Sequence, residues 1–348
     1  MGRRKSQAPA AETPQTSITA FREAEKRYRR RTRTPTDYSD VLDLRNAAAA
    51  VDAGAVRRAG PGAYELTERP GLFVLPDVVA PDAQRRLAFC CYGAYHRPPA
   101  ETNLTWLARR DGTAPPPRTA APPANLRWAT LGRHYNWTDR TYACDHAEQM
   151  PRHVAELCDD LCGLIGSSMN AEAAIVNYYR PGDTMGGHVD DAETDRSLPL
   201  VSVSLGCSAV FLVGGATRDV APTAVWLRSG LCGKQPVSSI KYADWADVAS
   251  DGVGRPKFDF HTGSGDACVF VGEAARSYYH GVPRILPDTC PPHLREATAW
   301  PDAPGPSNGD NSDEAYAAGR PPDDEALRGL CEFLRGSRLN LNVREVGD

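Results

Sequence analysis

From Ala173 onward the chain is broken into short runs rich in β-formers and bounded by Gly, Pro or Asp: Ala173–Arg180, Leu200–Leu205, Ala209–Val213, Ala267–Val271, Ser277–Leu286 and Arg338–Val346. Runs of this length and punctuation read as strands. Their number, without helical segments between each pair, predicts an all-β sandwich or barrel rather than alternating βα units. Upstream the pattern differs. Pro81–Tyr92 and Pro151–Gly163 are predicted helices, Pro70–Pro76 is a short buried strand, and the Pro/Ala tract Thr113–Pro123 is a loop. Ala20–Arg33 is a further predicted helix, stopped near Pro35. The predicted fold class is mainly β with flanking helices.

At 348 residues, 41% hydrophobic and 24% charged, the chain has ample material for a core, and no apolar run is long enough to span a membrane. Its ten cysteines form no CxxC pair, which argues against a zinc ribbon and for reduced, buried thiols. With no signal-peptide pattern, an intracellular protein is expected, nuclear or cytoplasmic, with mitochondrial targeting as an alternative. The net charge of −4 hides an asymmetry: Met1–Thr34 holds ten Lys/Arg against three acids. A basic arm on a neutral body is an electrostatic footprint for nucleic acid, and equally that of a solvated helix face.

Chemistry concentrates at His188-Val189-Asp190. On an extended segment a histidine and a carboxylate two residues apart share a face. With one later histidine they form the 2-His-1-carboxylate set that holds iron(II) and leaves positions open. Two histidines lie suitably late, His261 and His280; His280 follows a predicted strand and is preferred. The carboxy-terminal Arg338-Leu339-Asn340-Leu341-Asn342-Val343-Arg344 places four polar side chains on one face of a strand. That face suits bidentate binding of a dicarboxylate, or else an exposed sheet edge.

Together with Asn177-x-Tyr179, Val201–Gly206, Ala209–Gly215, His280-x-Val282-Pro283-Arg284 and Leu126–Trp137, these pieces resemble the AlkB family of iron(II)- and 2-oxoglutarate-dependent dioxygenases, and within it the eukaryotic AlkB homologue one group. The likeness runs from about residue 20 to 346. It implies a double-stranded β-helix (jelly-roll) core over 151–348, with inserts at about 217–264 and 287–322. It also implies a recognition lid over 126–150 and a helical extension and linker over 18–125, while residues 1–17, rich in Ala, Pro, Thr and Gln, read as a disordered tail. Iron(II) would be held by His188, Asp190 and His280, and 2-oxoglutarate by Asn177, Tyr179, Arg338, Asn340 and Arg344, with dioxygen as co-substrate. Trp137 and Tyr142 would flank an extruded base, since a base must leave its stack to reach a buried metal.

The implied activity is oxidative demethylation of methylated bases: 1-methyladenine or 5-methylcytosine in tRNA, or N6-methyladenine in DNA. The implied partner is nucleic acid, met by the basic amino-terminal helix and the aromatic lid of a monomer. Two departures stand out: Asn342 replaces a usual Thr, and Ala192 replaces an acid that bacterial members place near the base. An oxygenase acting on a protein side chain and a non-catalytic nucleic-acid-binding scaffold remain as alternatives.

Overall fold

The computed structural model describes residues 18–29, 35–117, 119, 121–136, 141–142, 149–229, 265–297 and 324–347. The tail 1–17, most of the insert at 217–264 and most of the 287–322 segment, His261 included, lie outside the described residues.

Fourteen described strands are β1 Val56–Gly60, β2 Ala63–Leu66, β3 Leu72–Val79, β4 Trp128–Gly132, β5 Tyr135–Asn136, β6 Thr141–Tyr142, β7 Ala173–Tyr179, β8 Met185–His188, β9 Leu200–Gly206, β10 Ala209–Val213, β11 Thr223–Leu227, β12 Gly265–Phe270, β13 His280–Ile285 and β14 Arg338–Arg344. The helices are α1 Ala20–Arg29, α2 Ala47–Asp52, α3 Pro81–Gly93, α4 Asn103–Asp111, α5 Arg152–Gly163, α6 Glu273–Arg276, α7 Pro292–Arg295 and α8 Asp324–Gly336. One sheet has the order β1-β2-β3-β12-β9-β14-β7-β4 and a second the order β11-β10-β13-β8. From β7 to β14 the chain passes back and forth between the two sheets, the path of a double-stranded β-helix. Neighbours within each sheet are antiparallel.

Period-two alternation fixes which face of each central strand does what. In β9, Val201, Val203 and Leu205 are fully buried on the outer face, while Ser202 and Ser204 turn toward the opposite sheet. In β14, Leu339, Leu341 and Val343 are fully buried, so Arg338, Asn340 and Asn342 are committed to the inner face. Each such apolar side chain contributes about 2 kcal/mol when buried. A one-residue slip would exchange the two sets, so the hydrophobic pattern itself holds the inner polar face in place.

The 18–125 segment does more than form a helical extension. Its three strands β1–β3 widen the larger sheet, with β3 paired along β12. Helix α8, inside the region taken as jelly roll, places Leu330, Cys331 and Leu334 on one buried side. The eight described cysteines are all buried. Among the described residues no helix is long and apolar enough to cross a membrane.

Three histidines away from the inner face, His96, His153 and His293, are each lowered by burial to about 4. Their unfolded values lie near 6.5, so between those pH values the unfolded chain binds protons that the folded chain does not. Their neutral burial is therefore without penalty above pH 6.5, and stability falls as pH drops from 6.5 toward 4, by about 1–2 kcal/mol per histidine at pH 5. Asp77, pushed up to about 6 first by burial, acts in the opposite sense and offsets only part of this. The expected result is a lower melting temperature at pH 5 than at pH 7.5. Equal melting temperatures at the two pH values would contradict it.

Candidate active site

His188 ends β8 and His280 begins β13, and the antiparallel ladder sets them directly opposite each other. Their ring centroids are 4.4 Å apart. Asp190, two residues past His188, swings beneath both: its carboxylate oxygens lie 3.6 Å from His188 Nε2 and 3.7 Å from His280 Nε2. One ligating atom from each of the three falls within 4.8 Å of the others. On each ring Nδ1 sits 3.0 Å from a backbone carbonyl two residues earlier, Gly186 O for His188 and Tyr278 O for His280. Nδ1–H donates to that carbonyl, which leaves the Nε2 lone pair for a metal. Burial first, and then the neighbouring His188, lower His280 to about 4, so its ring is neutral near pH 7. The donor set and tautomers therefore fit a divalent transition metal.

Burial alone would raise the Asp190 carboxyl. Arg344, followed by the two histidines, outweighs it and holds the group well below the usual carboxylate range. Arg344 Nη2 is 3.2 Å from Asp190, and its Nε is 2.7 Å from Glu193. Glu193, 5% exposed, also pairs with the buried Arg276 and accepts the Tyr142 hydroxyl at 3.1 Å. Glu193 is thus a buried acid shared by two arginines, and both would lose a partner if it were removed. Through Glu193 the metal-facing aspartate is tied to Tyr142.

A cleft of about 450 Å³, solvent included, opens beside the triad and is walled by Tyr179, Phe211, Phe270, Arg338, Asn340 and Asn342. Arg338 is 1% exposed. It donates to Ser204 Oγ at 2.5 Å, Cys207 O at 3.2 Å and Leu227 O at 3.4 Å, while its Nε has no hydrogen-bond partner. Among the described residues no carboxylate stands within ion-pair distance of it. A buried guanidinium without an acid fits an anionic ligand that carries its own carboxylate. Asn340 is held by Ser202 Oγ and Val203 O.

The sequence-predicted residues fall as follows. His188, Asp190 and His280 converge, and Tyr179, Arg338 and Asn340 line the cleft. Asn177 is buried and is the direct partner of Asn340 on the β7–β14 ladder, so the two side chains share a face of the sheet. The charge of Arg344 is taken up by Asp190 and Glu193. Tyr142 packs against Tyr135 at 5.2 Å and reaches Glu193. Trp137 lies outside the described residues. Of the ten basic residues counted at the amino terminus, Arg22 pairs with Glu25 and Arg27 with Asp40, while Lys26 and Arg29 are exposed. Glu193, Ser202, Ser204 and Arg276 were missed. Glu193 lies three residues after Asp190, a spacing that does not by itself mark it.

The profile of the 2OG-Fe(II) oxygenase superfamily matches residues 71–233. The nucleic acid dioxygenase ALKBH1 of Mus musculus is 33% identical over 307 residues, which cover 82% of this chain and 66% of that protein. Its Homo sapiens counterpart is 36% identical over 186 residues, covering 48% of this chain and 47% of the human protein. The N6-methyladenosine RNA demethylase ALKBH of Cryphonectria parasitica is 34% identical over 224 residues, 64% of this chain and 76% of that protein. The matches thus span just under two thirds of the mouse protein and about half of the human one.

Proposed function

Because the chain belongs to the AlkB family of 2OG-Fe(II) oxygenases, we propose that it is an iron(II)- and 2-oxoglutarate-dependent dioxygenase that demethylates methylated bases in nucleic acid. One observation carries the reading: a His188–Asp190–His280 triad shares a cleft with a buried arginine that has no acidic partner among the described residues.

His188 Nε2, His280 Nε2 and a carboxylate oxygen of Asp190 would hold the metal. Bound there, iron(II) with 2-oxoglutarate and dioxygen supplies oxidation of a substrate methyl C–H bond, and a hydroxylated N-methyl group leaves as formaldehyde. Arg338 would receive the distal carboxylate of 2-oxoglutarate, with Tyr179 and Asn340 beside it and Asn177 and Arg344 bordering the site. Phe211, Phe270, Leu200 and Leu227 give this end of the cleft an apolar wall that excludes water. Arg344, itself held by Glu193, keeps Asp190 ionised and oriented, so the ligand needs no reorganisation.

By the family likeness Trp137 and Tyr142 would flank the extruded base, and the exposed Lys26 and Arg29 of α1 would meet backbone phosphates. The candidate substrates are 1-methyladenine in tRNA and N6-methyladenine in DNA, which would release formaldehyde, and 5-methylcytosine in tRNA, whose carbon-bound methyl would be hydroxylated without that loss. The test is succinate formation from 2-oxoglutarate after transfer of the iron(II)-loaded protein from anaerobic to aerobic buffer, with and without a methylated tRNA pool. Turnover stimulated by the tRNA, with formaldehyde released, is expected. Turnover indifferent to tRNA would move the substrate to DNA or protein. No turnover in a folded, iron-loaded protein would overturn the enzyme.

A further inference from the structure

Strand β8 carries His188, and among the described strands it is the edge of its sheet, paired only with β13. The pairing is also broken. His280 faces His188 and Val282 faces Met185, so Gly186 and Gly187 together oppose the single residue Gly281. Such a bulge takes a backbone amide out of the ladder, and an edge strand has no second neighbour to receive it. The amide in question, Gly187 N–H, immediately precedes the metal-facing histidine.

Helix α1 supplies what the sheet does not. Gly187 N–H donates to Glu25 Oε1 at 2.6 Å, and Glu25 is 5% exposed. On the other side of the same residue, Gly187 O accepts from Arg218 at 2.7 Å. The Phe21 ring lies where side chains at Gly187 and Gly214 would stand: a Cβ added there would come within 2.4 Å and 2.8 Å of it. Phe21 also packs against Tyr279, the residue before His280, with ring centroids 6.4 Å apart. One face of α1 thus touches the residue preceding each histidine of the triad. Its exposed face carries Lys26 and Arg29.

We propose that Glu25 is a positioning residue for the metal centre, holding the bulged β8 backbone so that His188 is presented at a fixed distance from Asp190 and His280. The inference rests on the triad being the metal site, as above. A carboxylate on a backbone N–H is a charge-assisted acceptor, stronger than the carbonyl it replaces in the ladder. Outer partners that orient a ligating histidine change metal affinity about tenfold to hundredfold when removed.

The test uses the full chain, titrated with Mn(II) calorimetrically well below the melting temperature, together with amide hydrogen exchange of the peptide spanning 185–188. Glu25→Ala is expected to weaken Mn(II) binding about tenfold or more and to speed exchange at 185–188, with the larger sheet unchanged. Glu25→Gln keeps an amide oxygen as acceptor and is expected to stay within about threefold of the native affinity. A Glu25→Ala protein that melts earlier yet binds Mn(II) as the native chain does, with native exchange at 185–188, would make Glu25 merely structural and overturn the proposal. So would a Glu25→Gln protein as weak as Glu25→Ala. If the native chain bound no Mn(II), the metal site itself would fall, and the exchange rates would still decide whether Glu25 holds the strand.

Discussion

Replacing Asp190 by alanine is expected to weaken divalent-metal binding by at least about a hundredfold and to abolish turnover, while leaving the metal-free fold nearly as stable as before. Asp190 is the single carboxylate of the triad, and its two oxygens are what bring the two Nε2 atoms to a common point. Removing it takes away a ligand charge that no neighbour can replace, because Glu193 is already bound to Arg344 and Arg276. That same engagement protects the fold. Arg344 loses Asp190 but keeps Glu193 at 2.7 Å, so no buried cation is stranded. Calorimetric titration with Mn(II) and thermal melting of the metal-free protein separate the two effects. Native-like affinity in a folded Asp190→Ala protein would remove Asp190 from the centre.

Much of this arrangement was legible in the sequence, for identifiable reasons. Strands β7, β9, β10, β12 and β14 are runs of branched and aromatic residues between Gly, Pro and Asp, so their ends and faces follow from local chemistry. The convergence of His188, Asp190 and His280 followed from the two-residue spacing and from the AlkB likeness. Strand β1 was not legible, because Val56-Arg57-Arg58-Ala59-Gly60 carries the polar side chains of an exposed edge and lacks an apolar alternation. Helix α8 was legible but overlooked: Leu327, Leu330, Cys331 and Leu334 repeat at helical spacing immediately after a Pro- and Asp-rich stretch. Glu25 and Glu193 belong to a third kind. Glu25 lies 162 positions from the backbone amide it holds, and nothing local separates a buried carboxylate from the solvated ones beside it. Only the packing of distant elements makes them site residues.

Replacing Arg338 by methionine is expected to separate co-substrate binding from folding. The side chain is buried to 1% exposure, and burial lowers the tendency of its guanidinium to stay protonated. Among the described residues its hydrogen bonds go to three neutral oxygens and its Nε has no partner, so they leave the charge uncompensated. Exchanging a buried, unbalanced cation for an apolar side chain of similar reach is often neutral or stabilising. The metal-free melting temperature should therefore move by only a few degrees. Binding of 2-oxoglutarate should behave differently, since a charge-assisted guanidinium–carboxylate contact is worth about 1.5–3 kcal/mol, or roughly tenfold to hundredfold in affinity. Arg338→Lys should fall between the two, keeping the charge and losing the fork. Both variants are read by titrating 2-oxoglutarate into Mn(II)-loaded protein, with melting curves alongside. A large loss of stability in Arg338→Met with unchanged 2-oxoglutarate affinity would show that the arginine serves the junction of β9, β11 and β14 instead of the co-substrate.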